Sequence, residues 1–480
     1  MVDFNKILQD RDRRRRGQPR THGGAPAKQG RDSAALIGED DTGLPRHTRA
    51  LLELHRYAAT CMLLENTFYE SGGDIANRMA ALVKECRPDD LVALIDHVRN
   101  ALNVRHAAVF LAAEMCLVHK GRQSGDAVYA AVQRPDDATM LLSVLFLSND
   151  RTGRHARLRM LPHQAQRGLQ RALHRWDEYQ LGKYASRKGA FSLKDVLRLA
   201  RPRPKRRFAK EVHRFDKLFN DTLPIPNTWE TRLSSGEDKR AVWEDLLRTN
   251  ALGGLALLRN LRNMDQAGVD RKLVARAVAQ SKFNRVLPFR FIEAAKHAPW
   301  LERELEESML RALGTLREEV PLPGKTVLLV DVSISMNDRL SRKSDVSRRE
   351  AAATMAMLFA EVCEELQVFA FHNDVTELPT RKGIGMVDAV MNAASGATDI
   401  PKAVDKANSC RADRIVCLTD EQSTRMRRVP QPKAAVGGYM LNLAPYSKSV
   451  AFGEWMSISG FSEYLVHAIH ALENTEQFLD

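Results

Sequence analysis

Residues 325–338 read KTVLLVDVSISMND. A short run of Val and Leu enters Asp331, after which hydroxyls and apolar residues alternate through Ser333 and Ser335. A continuous branched-aliphatic run predicts a strand buried on both faces, as in a parallel sheet. Such a strand, ending on an acid and two small hydroxyls, sends three oxygen-bearing side chains to its carboxyl end. Open α/β sheets bind ligands there.

The pattern downstream alternates in the same way. SRREAAATMAMLFAEVCEEL predicts a helix, QVFAFHN a strand, MVDAVMNAA a helix, and DIPKAVDKANS a helix with Pro401 in its first turn. DRIVCLTD and AAVGGYMLNL predict two more strands, VAFGEW a last one, and GFSEYLVHAIHALE a closing helix. The order implies an open, mostly parallel sheet covered on both faces, preceded by a joint at PLPGK. Two later loops carry matching chemistry: GATDI puts Thr398 at a helix entrance, and CLTDE puts Asp420 at a strand end. Parallel strands gather these ends along one edge. Two carboxylates and three hydroxyls are hard oxygen donors, suited to Mg²⁺ or a similar dication and not to zinc. His372 and Asp374, after FAFHND, are read as loop residues and not as a catalytic pair.

Residues before the joint read differently. DDLVALIDHVRNALN carries Leu91, Val92, Leu94, Ile95 and Val98 at helical spacing, with Asp89 or Asp90 as its cap. VRHAAVFLAAEMCLVHK, LPHQAQRGLQRALHRW, SLKDVLRLARPRP, VWEDLLRTNALGGLALLRNLRNM and RKLVARAVAQS continue helix after helix, with Pro202, Pro204, Pro224 and Pro226 in loops. Short gaps without strands predict a mainly α array of antiparallel helix pairs of degenerate repeat, as in an α-solenoid. The expected division is a basic, disordered tail over 1–45, a helical region over 46–320 and an α/β domain over 321–480.

The formal charge of +13 over 480 residues is unevenly spread. From Lys325 onward 17 Lys and Arg stand against 20 Asp and Glu, which leaves 56 against 40 before it. The basic excess therefore belongs to the helical region and its tail, and points to a polyanion. It is densest at Lys183, Arg187, Lys188, Lys194, Arg198, Arg201, Arg203, Lys205, Arg206 and Arg207, with Leu181, Val196, Leu197 and Leu199 as the buried side. Cations on the wet face of adjacent helices track a phosphate chain. The six cysteines form no CxxC pair, consistent with reduced thiols in a cytoplasmic protein. The N-terminus is polar and basic, and no apolar run is long enough to span a membrane.

Two resemblances attach to these residues. DVSIS, GATD and LTD resemble the metal-ion-dependent adhesion site of von Willebrand factor A (vWA) domains. That implies Ser333, Ser335 and Thr398 as inner ligands, Asp331 and Asp420 as supporting acids, and an open coordination position for a partner's acidic oxygen. LGKYASRKGAFSLKDVLRLARPRPK, TWETRLSS with VWEDLL, the LLRNL segment and RVLPFRFIEAA resemble the TROVE module of the Ro ribonucleoprotein family, in which that module also precedes an A domain. The resemblance implies a ring of irregular HEAT-like helical repeats closed by the A domain, small noncoding Y-like RNAs on its outer surface, and single-stranded ends of misfolded RNAs in its hole. The family's Lys-Tyr-x-x-Arg segment matches Lys183, Tyr184 and Arg187, and a family histidine falls at Arg201.

The expectation is a non-enzymatic RNA-binding scaffold of RNA quality control, joined by an exoribonuclease or by an acidic protein ligand at the metal site. The alternative is a metal-dependent protein-interaction module with RNA binding secondary. A processing enzyme is disfavoured, since the basic region holds no convincing His, Lys and acid set.

Overall fold

The computed structural model describes residues 45–59, 72–147, 160–185, 189–202, 209–283, 286, 288–340, 346–420, 428–443, 454–459 and 465–474. The expected tail, and Arg187, Lys188, Arg203 and Lys205–Arg207, lie outside these residues. Among the described residues no helix is long and apolar enough to cross a membrane.

The chain forms two compact units, one of Met1–Pro226 with His467–Asp480 and one of Asn227–Val466. The helices after Pro226 thus pack in one unit with the sheet, although the change from helix to strand occurs at residues 320–322.

The first unit contains α1 (Arg46–Ala59), α2 (Gly72–Val83), α3 (Pro88–Asn100), α4 (Arg105–Val118), α5 (Arg122–Ala131), α6 (Pro135–Leu147), α7 (His163–Leu173), α8 (Glu178–Ala185), α9 (Leu193–Ala200) and α10 (Ala209–Phe219). α3 buries Leu91, Leu94, Ile95 and Val98, one stripe of a 3.6-residue period. Its N-cap is Arg87, with Pro88 in the first turn. Asp89 and Asp90 therefore face the positive end of the helix from inside it and do not cap it. α5 and α7 meet backbone to backbone: a methyl on Gly168 would stand 2.6 Å from both the Gly125 carbonyl and Val128 Cβ.

The second unit begins with α11 (Trp229–Ser234), α12 (Lys239–Arg248), α13 (Gly254–Gln266), α14 (Arg271–Gln280), α15 (Pro288–His297) and α16 (Glu302–Glu319). The VWEDLL…LRNM run, expected as one segment, is α12 and α13. It breaks at Asn250, whose φ is +52°, and resumes at Gly254, where a methyl would strike the Phe283 ring and the Lys282 carbonyl.

The sheet follows: β1 (Leu322–Asp331), α17 (Arg348–Val362), β2 (Cys363–Phe371), β3 (Val375–Leu378), α18 (Ile384–Met391), α19 (Ile400–Asn408), β4 (Arg414–Thr419), β5 (Gly437–Asn442) and β6 (Trp455–Ser459), then α20 (Leu465–Glu473). Strand order is β3-β2-β1-β4-β5-β6, all parallel except the β2–β3 hairpin. One sheet face buries Val327, Leu329, Phe369, Ile415, Cys417 and Met440 against Ile400, Ala403, Val404 and Ala407 of α19. Three expectations shift. The expected first helix of this region ends at Val362, and CEEL starts β2 because Cys363 pairs with Leu322. The segment after Asp374 forms β3 and not only loop. The last strand is Trp455–Ser459, later than VAFGEW.

This strand order fixes the site. β1 lies between β2 and β4, so the crossovers leave it in opposite directions and a crevice opens between the carboxyl ends of β1 and β4. Asp331 ends one strand and Asp420 follows the other.

Candidate functional site

Asp331, fully buried, organises the crevice. Its Oδ1 accepts from the Ser333 amide at 2.9 Å, and its Oδ2 accepts from the Thr419 hydroxyl at 2.7 Å. These bonds fix the turn that follows β1. Residues 334–337 then make one 3-10 turn, which aims the hydroxyls of Ser333 and Ser335 at one another 3.2 Å apart. An octahedral Mg²⁺ with oxygens at about 2.1 Å has an edge of roughly 3 Å, so this pair matches adjacent ligand positions.

The loop carrying Thr398 is tied to the same turn. The Ile334 amide donates to the Gly396 carbonyl at 3.1 Å, and the Ser395 hydroxyl donates to the Val332 carbonyl at 2.5 Å. Thr398 and Asp399 are buried. Asp399 donates its amide to the His372 carbonyl at 2.9 Å and caps α19 through the Lys402 amide. His372 and Asp374 therefore support this loop from below. Asp374 pairs with Lys402 at 2.9 Å, and that bond holds its carboxyl below the usual range.

Asp331, Ser333, Ser335 and Asp420 thus stand at one crevice, and the loop that carries Thr398 is bonded to its turn. Burial pushes the Asp331 carboxyl up to about 7. The Ser333 and Thr419 hydrogen bonds pull it down, and the neighbouring Asp420 pushes it further up. A bound dication would relieve that electrostatic cost, and hydroxyl and carboxylate oxygens are the ligands it prefers. Among the described residues no cluster of three His, Cys, Asp or Glu suited to a metal occurs, so a site here rests on hydroxyls. Ile334, between the two serines, is 68% exposed and supplies an apolar rim.

One residue in this crevice has no counterpart in the sequence reading. Arg348, first in α17, reaches in and donates from Nη1 to Asp420 Oδ2 at 2.9 Å and to the Ser335 carbonyl at 3.1 Å. The signal available was an arginine just after a capping serine, and its partner lies 72 positions downstream.

The candidate RNA-contacting residues stand in the first unit. Lys183 is exposed in the last turn of α8. Lys194, on α9, is half-buried and ion-paired with Asp221. Arg198 is exposed, pairs with Asp195 at 3.3 Å, and holds its guanidinium 5.1 Å from the Phe219 ring centre. Arg201 caps the C-terminus of α9 in the left-handed region, φ +47°, with its side chain exposed. Tyr184 is engaged at the surface: Arg134 donates to its hydroxyl at 2.7 Å and lies 5.3 Å over its ring.

The sequence reading missed three cations beside them. Arg167, Arg171 and Arg175 recur every fourth residue of QAQRGLQRALHRW and lie on the exposed side of α7 or just past its end. Arg171 and Arg175 lie 4.2 and 3.3 Å over the Tyr129 ring. α7 runs alongside the end of α9, where Gln166 and Gln170 donate to the carbonyls of Leu199 and Ala200 at 3.1 and 2.7 Å. The arginine row therefore adjoins Arg198 and Arg201.

Comparison with known proteins finds family matches over the second unit and a likeness of fold over most of the chain. A TROVE domain family model matches residues 220–373, and a Ro60 vWA domain model matches residues 325–453. The crystal structure of the Deinococcus radiodurans RO (RSR) protein aligns with 89% of this chain and 100% of its own, at a TM-score of 0.64 and 18% identity, a likeness of fold. Telomerase protein component 1 of Rattus norvegicus is 28% identical over 147 residues, and that of Mus musculus 28% identical over 157. These stretches cover 28% and 30% of this chain but only 5% and 6% of those relatives. The resemblance to TROVE-domain, Ro-type proteins with a C-terminal vWA domain is thereby shown, as is the mainly α plus α/β fold class.

Proposed function

We propose, from the pairing of a TROVE domain with a Ro60-type vWA domain in one chain, that this protein is a non-enzymatic RNA-binding scaffold. Its RNAs are small noncoding, Y-like RNAs and the single-stranded ends of misfolded RNAs, which it holds for RNA quality control in the cytoplasm. The observation that carries the reading is the set of exposed cations on α7 and the adjoining α9, Arg167, Arg171, Arg175, Arg198 and Arg201, with Lys183 exposed on α8; Arg171 and Arg198 also pair with Asp126 and Asp195. Guanidinium and ammonium groups so placed neutralise successive phosphates and release counterions. Such contacts set affinity and position, while choice among RNAs falls to unpaired bases. Phe219, 46% exposed beneath Arg198, offers one stacking surface for such a base.

The vWA crevice serves as the second attachment point. Ser333, Ser335 and Thr398 would hold Mg²⁺ or another dication, with Asp331 and Asp420 balancing its charge, and the ion would offer a coordination position to a partner's carboxylate. That partner would be an acidic protein, such as an exoribonuclease working on the held RNA. The exposed Ile334 favours the alternative reading, in which docking of an acidic partner is the main function and RNA binding is secondary.

The test is binding of a small hairpin RNA and of a tailed RNA at several salt concentrations. Binding that weakens steeply with salt and is lost on reversing Arg198 and Arg201 supports the scaffold. RNA binding indifferent to those reversals, with partner capture lost in Ser333→Ala, supports the alternative.

A further inference from the structure

The crevice already contains a cation. Ser347 caps α17 in a reciprocal box with Glu350, which fixes where Arg348 leaves the helix. The Arg348 amide donates to the Asp338 carbonyl at 2.9 Å, and its side chain turns inward, 7% exposed. There Nη1 holds the fully buried Asp420 carboxylate and the carbonyl of Ser335, one of the hydroxyl ligands. Asp338 stands 3.6 Å away at the rim, exposed and screened by water.

This arrangement changes the charge count of the candidate ion site. Asp331 and Asp420 alone would match one dication. Counting Asp331 and Asp420 as carboxylates, the formal charge of these two and Arg348 together is −1, and a dication brings it to +1. A carboxylate from outside returns it to zero. Charges this close in a buried crevice interact strongly. The same guanidinium gives Asp420 and the Ser335 turn a partner when no ion is present, so the crevice keeps its form without one.

We propose that Arg348 is a resident counter-charge that couples the two ligands of this site: the dication binds firmly only together with an acidic group. This rests on the dication reading above and adds the regulation of that site. Binding coupling is reciprocal, so the acidic partner is likewise held only when the ion is present. Arg348 acts here as a positioning residue, through Asp420 and the turn carrying Ser335.

The test is calorimetric titration of the full-length protein with Mn²⁺, alone and in saturating acetate, together with melting in EDTA. In the wild type, acetate is expected to tighten Mn²⁺ binding about tenfold, and EDTA to leave Tm unchanged. In Arg348→Gln, Mn²⁺ alone should bind about tenfold tighter, the acetate effect should fall below about twofold, and melting should become sensitive to EDTA. Arg348→Lys should keep the coupling. Wild-type affinity that acetate moves less than about twofold overturns the proposal, and that measurement decides it even if Arg348→Gln does not fold. Equal Mn²⁺ affinity in wild type and Arg348→Gln also overturns it while the dication reading survives. No Mn²⁺ binding by either protein overturns both.

Discussion

The Ile334 amide donates to the Gly396 carbonyl at 3.1 Å, which joins the turn after β1 to the loop that carries Thr398. That loop lies against the side chains of His372 and Asn373. A methyl on Gly396 would stand 2.4 Å from Asn373 Oδ1 and 2.8 Å from His372 Nδ1. Gly396→Ala is expected to push the Asn373 and His372 side chains aside at a cost under about 1 kcal/mol, and to weaken dication binding more than it weakens RNA binding. Mn²⁺ titration beside a hairpin-RNA shift measures the two separately; equal losses would deny the loop its special place.

The cationic surface makes its own prediction. Arg198→Glu with Arg201→Glu should weaken every RNA, tailed or duplex, and lower the slope of log K against log salt by about 1 for each phosphate contact removed. Lys194→Glu should do less, because that ammonium is half-buried as well as paired with Asp221, whereas Arg198 stays exposed beside Asp195. Reversing Arg167 and Arg171 tests whether the row on α7 belongs to the same footprint, and a salt slope left unchanged would exclude it.

Gly168→Ala probes the first unit without touching either site. The added methyl would meet the Gly125 carbonyl at 2.6 Å and the Val128 side chain at 2.6 and 2.7 Å, and neither backbone nor a β-branched stem yields easily. Overpacking of this kind costs about 1–3 kcal/mol. Denaturant melts should report that loss, while Mn²⁺ affinity, which belongs to the second unit, stays as in the wild type.

Acid should weaken the first unit through its histidines. Burial, first of all, pushes His55, His106 and His467 down to about 4, with neighbouring His97 adding to it at His55, Arg105 at His106, and His470 and His97 at His467. Each is depressed below its unfolded value, so its contribution is whole above about pH 6.5 and is lost as pH falls toward 4. At pH 5 the loss is roughly 2 kcal/mol per histidine. His55→Leu is expected to flatten that acid limb, read by amide exchange in peptides of α1; an unchanged limb would place the acid sensitivity elsewhere.

The sequence announces the crevice through local signals. Asp331, Ser333 and Ser335 sit at the end of an apolar run, and Thr398 and Asp420 at loop ends that parallel pairing must bring together. Arg348 was not legible because its partner is a long-range contact and its own neighbourhood reads as a helix start. Cys363–Leu366 reads as helix, and pairing with β1 overrides that local preference. Tyr184 fits an RNA-contact motif, yet its hydroxyl and ring are engaged by Arg134, 50 positions earlier, a contact that no periodicity reveals. Arg167, Arg171 and Arg175 were present as an every-fourth-residue rhythm, masked by the stronger apolar stripe of α7.

The hydrogen bond from Thr419 to Asp331 spans 88 positions and crosses the two central strands. During synthesis, a nascent chain that has emerged only as far as α19 already holds Ser333, Ser335 and Thr398 but lacks the strand that seats Asp331. The crevice is therefore a late product of translation, formed only when β4 slots in beside β1. Bringing such distant segments together is entropically slow. Whatever binds this crevice would accordingly find it only on chains made past β4.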